Sequence, residues 1–284
     1  MNNKKLSIRV LFPLIMSISI IFCILSCMIL FSHYISTYLV RKTIEETNRQ
    51  KNVLAQNIEN EIDSINSIMN NIYYNTIKKY DIQDKNFKTI LANEITSNSE
   101  TIYGLALYDT DGKNLWHSNN LTSISMQNES WFTQAKDNIE TICYGSKKLV
   151  YPDKVKQIFQ ISRYVEYINH GEMKSGVLLM QYYTDSIDAI LEHYKNTQNS
   201  YCYLLDNTSN FLYHPFMKEI SSGLYKENTT KIALNSTHYS IKKLHGTKWL
   251  IERQQIGYTG WNIVLVSSLF NIHTENMGIY YVIW

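Results

Sequence analysis

The chain has 284 residues, of which 44% are hydrophobic and 18% are charged, with a formal net charge of +2. This near-neutral balance, with no block rich in Lys and Arg, excludes nucleic acid as a partner. Three prolines and ten glycines exclude long low-complexity linkers. Beyond one long apolar segment, about 240 residues remain, which fits one large domain or two small ones.

An uncharged, strongly apolar run extends from Val10 to Phe31. At 1.5 Å rise per residue, a helix of this length crosses a hydrocarbon core of about 30 Å. A cleaved signal peptide has a shorter apolar region of about 7–15 residues and a small-residue cleavage motif. The lipoprotein-like sequence Ile24–Cys27 is an alternative, but further apolar residues follow it. We therefore expect an uncleaved transmembrane helix at residues 10–31.

Charges that flank this run predict its orientation. Two lysines and an arginine precede it closely, whereas Arg41 and Lys42 follow at a distance, so the positive-inside rule places residues 1–9 in the cytoplasm. The apolar segment 276–284 is expected to begin a second, truncated transmembrane helix; a core strand or a frayed tail is the alternative. The bulk of the chain would then be extracytoplasmic, at the cell membrane.

The four cysteines do not form a disulfide framework. Cys23 and Cys27 lie in the apolar run, which leaves Cys143 and Cys202 outside it. Neither C-x-x-C nor a Cys/His ligand spacing occurs. We expect two buried thiols, with a Cys143–Cys202 disulfide as the alternative, and neither a metal nor a cofactor.

Residues 32–80 predict one long stalk helix. Its apolar side chains recur every three or four residues, which draws a single stripe. They are Leu54, Ile58, Ile62, Ile65, Met69 and Ile72. Such a stripe packs along its own domain, pairs with a second copy, or does both at different heights. We expect a homodimer through the stalk; a core-packing helix without a dimer role is the alternative.

A second helix at Asp84–Ser97, capped by Asp84, precedes a change to strand patterns. Residues 101–117 predict a hairpin around Asp109–Gly112. This acidic turn lacks the ligand spacing of an EF-hand, so we expect a turn and not a calcium site. A short helix follows at Asn128–Asn138, opened by Asn128.

Three strands and a closing helix complete the first unit. The turns between the strands are too short for crossover helices, so the strands are predicted to be antiparallel. The strands are predicted at 147–151, 156–167 and 175–183, and the helix at Asp185–Tyr194.

A second unit repeats this order in smaller form. A hairpin at 201–214 is followed by strands at 238–244, 247–255 and 261–268. We therefore predict an α+β chain with two copies of one module in tandem, a membrane-distal copy at 81–198 and a membrane-proximal copy at 199–275.

Four sequence motifs carry a family resemblance. They are SWFTQA at 130–135, SGVLL at 175–179, YLLDNTSNFLYHP at 203–215 and TGWNIVLV at 259–266. Their order resembles the double-Cache sensor domain of bacterial transmembrane receptors over about residues 33–276. The resemblance implies two PAS-like (Cache) modules with antiparallel sheets behind a transmembrane and stalk helix. Sensor histidine kinases, chemoreceptors and cyclic-dinucleotide enzymes carry such domains.

The resemblance also implies a ligand site in the distal module, between its sheet and the short helix. Aromatic rings there would form apolar walls, and polar groups on the facing strands would orient the ligand. The candidate ligand-binding residues are Trp131, Phe132, Tyr151, Arg163, Gln181 and Tyr183. For each, packing in the core or on the surface is the alternative.

The sequence departs from the amino-acid-binding members of this family at two positions. Those members have an Arg two residues before the Trp and an acidic residue on the strand after the Gly-Val step. Here the positions hold Glu129 and Gln181. Without that charge pair a zwitterion loses two charge-assisted hydrogen bonds, which disfavours standard amino acids. A sugar, a neutral metabolite, a peptide or a solute-binding protein remains open.

An extracellular enzyme and a scaffold are the competing classes. No H-E-x-x-H, G-x-S-x-G or phosphate-binding glycine loop occurs, so we expect no catalytic site in this chain. A scaffold that senses a protein partner would lack a pocket. The sequence therefore predicts the sensing region of a receptor that signals to a missing cytoplasmic output domain. A histidine kinase of a two-component system is favoured, with a chemoreceptor or a diguanylate cyclase as the alternative.

Overall fold

The computed structural model describes residues 8–118, 121, 126–139, 141–150, 155–194, 200–227, 239–244 and 247–269. Within these residues, a long helix is followed by two five-stranded antiparallel sheets with short helices. The predicted α+β fold class, with a long N-terminal helix and two tandem modules, is therefore confirmed. Tyr151 and the predicted second membrane helix at 276–284 lie outside the described residues.

Helix α1 runs without interruption from Ile8 to Ile72 and ends in a π-helical turn, Tyr73–Ile77. Its first part exposes the apolar side chains from Phe12 to Phe31. Among the described residues, α1 is the one helix long and apolar enough to cross a membrane. The predicted membrane segment and the stalk thus form a single continuous helix.

The predicted apolar stripe of the stalk is buried within the chain itself. Its six side chains, from Leu54 to Ile72, join one core cluster with side chains from both sheets. Each fully buried aliphatic side chain contributes about 1.5–3 kcal/mol relative to an exposed one, so this stripe fixes the sheets to α1. The homodimer through the stalk stays a prediction.

The distal module contains the sheet with strand order β2-β1-β5-β4-β3. Its strands are β1 (Ile102–Asp109), β2 (Asn114–His117), β3 (Cys143–Val150), β4 (Val155–Asn169) and β5 (Glu172–Tyr183). Its helices are α2 (Lys85–Ser97), α3 (Ser130–Asp137) and α4 (Asp185–Tyr194).

Local hydrogen bonds explain where several of these elements begin and end. The Asp84 carboxylate accepts from the backbone N–H of Asn86 at 2.8 Å and caps α2, as predicted. The Asp109 carboxylate accepts from the backbone N–H groups of Asp111 and Lys113, which confirms a turn. Such side-chain acceptors supply partners that the backbone lacks at element ends.

Several predicted boundaries were wrong. Strand β3 begins at Cys143, and not at residue 147. Helix α3 begins at Ser130 after Glu129, and not at Asn128, and no side chain caps it. Strands β4 and β5 extend to Asn169 and Glu172, because the hairpin turn needs only His170 and Gly171. Both have positive φ, the geometry of a two-residue turn that lets the ladder continue to its end.

The proximal module repeats the distal topology with the order β7-β6-β10-β9-β8. Its elements are β6 (Ser200–Leu205), β7 (Phe211–Tyr213), α5 (Met217–Ser221), β8 (Tyr239–Leu244), β9 (Thr247–Gln255) and β10 (Asn262–Ser268). The opening hairpin and the three-strand run occupy the same places in both sheets. The predicted architectural repeat is therefore confirmed.

Candidate functional site

A cavity of about 980 Å³ lies on the face of the distal sheet that points away from α1. Helix α3 forms one wall, the strands β3 to β5 form the floor, and the turn between β6 and β7 together with α5 forms the far wall. Both modules therefore contribute to it. The volume suits a small organic molecule, for which pockets of about 300–1,000 Å³ are usual.

Helix α3 brings Trp131 to the cavity wall. The Trp131 ring lies 5.6 Å from that of Tyr108 and 5.9 Å from that of Phe132. The hydroxyl of Ser162 on β4 donates to the backbone carbonyl of Trp131 at 3.1 Å, which fixes the helix on the sheet. Phe132 is buried behind Trp131 and is not among the cavity-lining residues.

Two glutamines form the polar part of the floor. Gln160 on β4 and Gln181 on β5 are direct cross-strand partners and both line the cavity. They are only 7% and 3% exposed, respectively. Gln181 was predicted from the sequence, whereas Gln160 was missed. Its neighbours Phe159 and Ile161 are apolar and pack in the core against α1. Because side chains alternate along a strand, this pattern could have placed Gln160 on the face of the sheet that points away from α1.

The structure does not bring Arg163 or Tyr183 to this cavity. Arg163 follows Ser162 on β4, so strand alternation points it to the opposite face. There it donates to the Asn70 side chain of α1 and lies over the ring of Tyr73, 4.6 Å from the centroid. The ring of Tyr183 packs edge-on against Tyr103.

Charge in the described cavity lining is exclusively negative. Glu129, which is exposed, and Asp206 contribute carboxylates, and no Lys or Arg is among the described lining residues. Asp206 already accepts from its own turn, through the backbone N–H groups of Thr208 and Asn210. The hydrogen-bonding capacity of the Asp206 carboxylate is therefore used largely within the turn.

Cys143 also lines the cavity, and burial raises the pKa of its thiol. Cys202 is buried elsewhere, with the pKa of its thiol raised by burial to about 12. Both are free, not joined in a disulfide, and both are protonated near neutral pH. Within the described residues, no group of three or more His, Cys, Asp or Glu side chains is placed to hold a metal.

Tyr144 connects the cavity to the stalk and to the proximal module. It lines the cavity, and its hydroxyl accepts from the Asn66 side-chain amide of α1 at 2.8 Å. The same amide donates at 3.0 Å to the hydroxyl of Tyr258, in the turn between β9 and β10. Burial raises the pKa of Tyr144, so its hydroxyl stays protonated. Tyr144 was not predicted from the sequence, because its partners are remote in the chain.

Comparisons with solved structures show the same fold. The chain is similar to the ligand-binding domain of the Pseudomonas aeruginosa amino acid chemoreceptor PctC in complex with GABA, at 15% identity and a TM-score of 0.59, over 79% of this chain and 99% of that one. It is also similar to the sensory domain of the Campylobacter jejuni chemoreceptor Tlp3 with isoleucine bound, at 12% identity and a TM-score of 0.62, over 84% and 98%.

A third similar structure is the ligand-binding domain of the Pseudomonas fluorescens chemoreceptor CtaA in complex with L-alanine, at 15% identity and a TM-score of 0.55, over 80% of this chain and 97% of that one. No curated protein sequence matches the chain. The family model described as Cache domain, dCache_1, matches residues 35–269, which is most of the chain. Together with the two modules of identical strand order, this match shows that the chain belongs to the double-Cache family of Cache domains.

Proposed function

We propose that this chain is the extracytoplasmic sensing region of a membrane-bound signal-transduction receptor and that it binds a small molecule in the distal cavity. The observation that carries the proposal is the cavity itself, walled by Trp131 and floored by two buried amides. A scaffold protein that only contacts a protein partner would be expected to lack a cavity of this size. The role is one of binding and signalling, and not of catalysis.

The apolar, exposed start of α1 supports a membrane anchor, with the two modules outside the cytoplasm. Because α1 continues from this segment into the core of both modules, a change in the cavity has a rigid element along which to reach the membrane. We propose that ligand binding shifts α1 against β10, at the end of the proximal sheet. Helix shifts of about 1–2 Å at packed interfaces are typical of allosteric transitions.

The output domain was predicted to be a histidine kinase, with a chemoreceptor or a diguanylate cyclase as the alternative. The sequence-based preference was a histidine kinase, whereas the similar solved structures belong to chemoreceptors. The structural likeness favours a chemoreceptor output. A solute-binding protein as the sensed partner would need no cavity of this size, so the cavity favours a small molecule.

Two sets of observations bear on the class of the ligand. The similar structures hold amino acids or GABA, so the sequence-based preference against standard amino acids has no support from them. The positions that disfavoured amino acids, Glu129 and Gln181, do line the cavity of this chain. Amino acids therefore belong in any screen, beside uncharged and cationic metabolites.

A thermal-shift screen of the full chain in lipid nanodiscs tests the proposal. Amino acids, sugars, amines and organic acids are each added at high concentration, because a ligand at a hundredfold excess over Kd raises stability by about 2.7 kcal/mol. A shift that is lost in Trp131→Ala and kept in Tyr183→Phe, outside the cavity, supports binding at this site. A shift that Trp131→Ala leaves unchanged contradicts it.

A further inference from the structure

The side chains of Gln160 and Gln181 form a pair on the cavity floor. They lie directly opposite each other on antiparallel strands, where Cβ atoms are about 4.5–5.5 Å apart. Both side chains are more than nine-tenths buried, and both line the cavity. Two carboxamides thus sit side by side at the bottom of an open space.

Both carboxamides face the cavity, and no side-chain hydrogen bond joins either of them to another residue in the described part of the chain. By contrast, the neighbouring polar side chain Ser162, on the same face of β4, donates to the Trp131 carbonyl. The polar atoms of the two amides are not among the fully enclosed ones that lack a partner, because they open to the cavity. Proteins satisfy nearly all buried polar groups, so partners for these amides come from the contents of the cavity. The structure therefore leaves two amides ready for partners that enter the cavity.

The chemistry of this floor selects an uncharged group. Each carboxamide offers one acceptor oxygen and two N–H donors but no charge. The described carboxylates of the lining do not compete, because Glu129 is exposed and Asp206 is held by its own turn. A charged group at this depth would lose its hydration without meeting an opposite charge, which is strongly unfavourable. An uncharged group with donors and acceptors would replace its hydration by hydrogen bonds to the two amides.

We propose that Gln160 and Gln181 form a paired-amide subsite that binds an uncharged hydroxyl- or carboxamide-bearing part of the ligand. This inference rests on the proposed function and adds a ligand class to it. The subsite differs from an amino-acid site in that its deepest polar groups pair with neither an ammonium nor a carboxylate.

A stability measurement that needs no ligand tests the unpaired state of the amides. In the full chain in nanodiscs, Gln160→Leu and Gln181→Leu should leave the melting temperature unchanged or raise it by about 2–4 °C, because no internal hydrogen bond is lost. The matched control Ser162→Ala should lower it. A fall in both glutamine variants as large as in the control overturns the subsite.

A binding measurement tests the ligand class. The probes are D-glucose and N-acetyl-D-glucosamine as uncharged molecules, L-alanine and L-isoleucine as zwitterions, and putrescine as a cation. We expect binding from the uncharged probes, weakened at least tenfold by Gln160→Leu and by Gln181→Leu. Separate responses to the two sugars distinguish hydroxyl from carboxamide recognition.

The outcomes separate the two proposals. If a zwitterion binds and Trp131→Ala abolishes its binding, the sensing function stands and the uncharged class is overturned. If no probe binds, that result counts against the sensing function. In that case the stability measurement alone decides whether the two amides lack internal hydrogen bonds. If an uncharged probe binds equally well to the glutamine variants, the subsite is wrong.

Discussion

The ammonium group of Lys51 lies 3.1 Å from the carboxylate oxygen Oε2 of Glu252, and the two side chains are only 9% and 2% exposed. Lys51 belongs to α1 and Glu252 to β9, the neighbour of β10 in the proximal sheet. Within the described residues neither Glu252 oxygen has a well-aligned hydrogen bond, so the contact with Lys51 is an ion pair. It joins the stalk to the module that lies nearest to the predicted membrane segment.

Replacing one partner of this pair should destabilise the chain strongly. Lys51→Met leaves the Glu252 carboxylate buried without a counter-ion, for which about 3–5 kcal/mol of unfolding free energy is lost. Chemical denaturation in nanodiscs measures the change. Arg49→Met breaks the exposed ion pair with Glu46 on the same helix and serves as the control, with little expected effect. Equal losses in both variants would contradict a special role for the buried pair.

The same carboxylate predicts a pH dependence. Burial raises the pKa of Glu252 above the ordinary value of 4.5, and the nearby Lys51 ammonium offsets this only in part. Between 4.5 and the raised pKa the folded chain binds more protons than the unfolded chain, so this contribution to stability falls as pH rises.

Glu252→Gln removes that contribution. The stability of the wild type relative to this variant should therefore decline as pH rises from about 4.5 and become constant above the raised pKa. Denaturation curves of both proteins at a series of pH values measure the difference. A difference that grows with pH would show that the ion pair, and not burial, dominates.

Gly176 on β5 is predicted to tolerate no side chain. A Cβ there would lie 2.1 Å from the backbone carbonyl oxygen of Tyr108 on the neighbouring strand, so β1 and β5 would have to separate. We expect Gly176→Ala to cost about 3 kcal/mol, the upper part of the usual range for overpacking.

Gly145 on β3 is the matched control for this substitution. A Cβ at Gly145 meets nothing within 4 Å, so Gly145→Ala should leave the melting temperature nearly unchanged. Thermal unfolding of both variants gives the comparison. A Gly176→Ala protein as stable as Gly145→Ala would be incompatible with this packing of the strands.

Two tyrosines test the junction between the cavity and the stalk. Tyr144→Phe removes the hydroxyl that accepts from Asn66, so we expect a loss of about 1 kcal/mol and faster amide hydrogen exchange at residues 256–261, the turn between β9 and β10. Hydrogen exchange followed by mass spectrometry measures both the turn and the core.

Tyr182→Phe provides the control at the junction. The Tyr182 hydroxyl is buried and has no hydrogen-bond partner among the residues that the structure describes, so its removal should cost nothing. If Tyr144→Phe leaves exchange in the turn as slow as in Tyr182→Phe, the link from the cavity to the proximal module is not carried by Tyr144.

Local patterns were sufficient for most of the fold. The stripe from Leu54 to Ile72 has helical spacing, and its burial followed once two apolar sheet faces were present to cover it. Turns with fixed chemistry, such as that at Asp109, set the hairpins. The repeated order of elements then gave two modules, because short turns allow only antiparallel neighbours.

Local sequence patterns were therefore enough to predict the long helix, the tandem α+β modules and the short helix that carries Trp131. Tertiary structure alone decided which face each strand residue occupies, and so placed Arg163 against α1 and Gln160 in the cavity. It also brought the Asp206 turn of the second module against the site of the first. The physical reason is range: helix spacing and turns depend on neighbouring residues, whereas strand phase and inter-module contacts depend on partners remote in the chain.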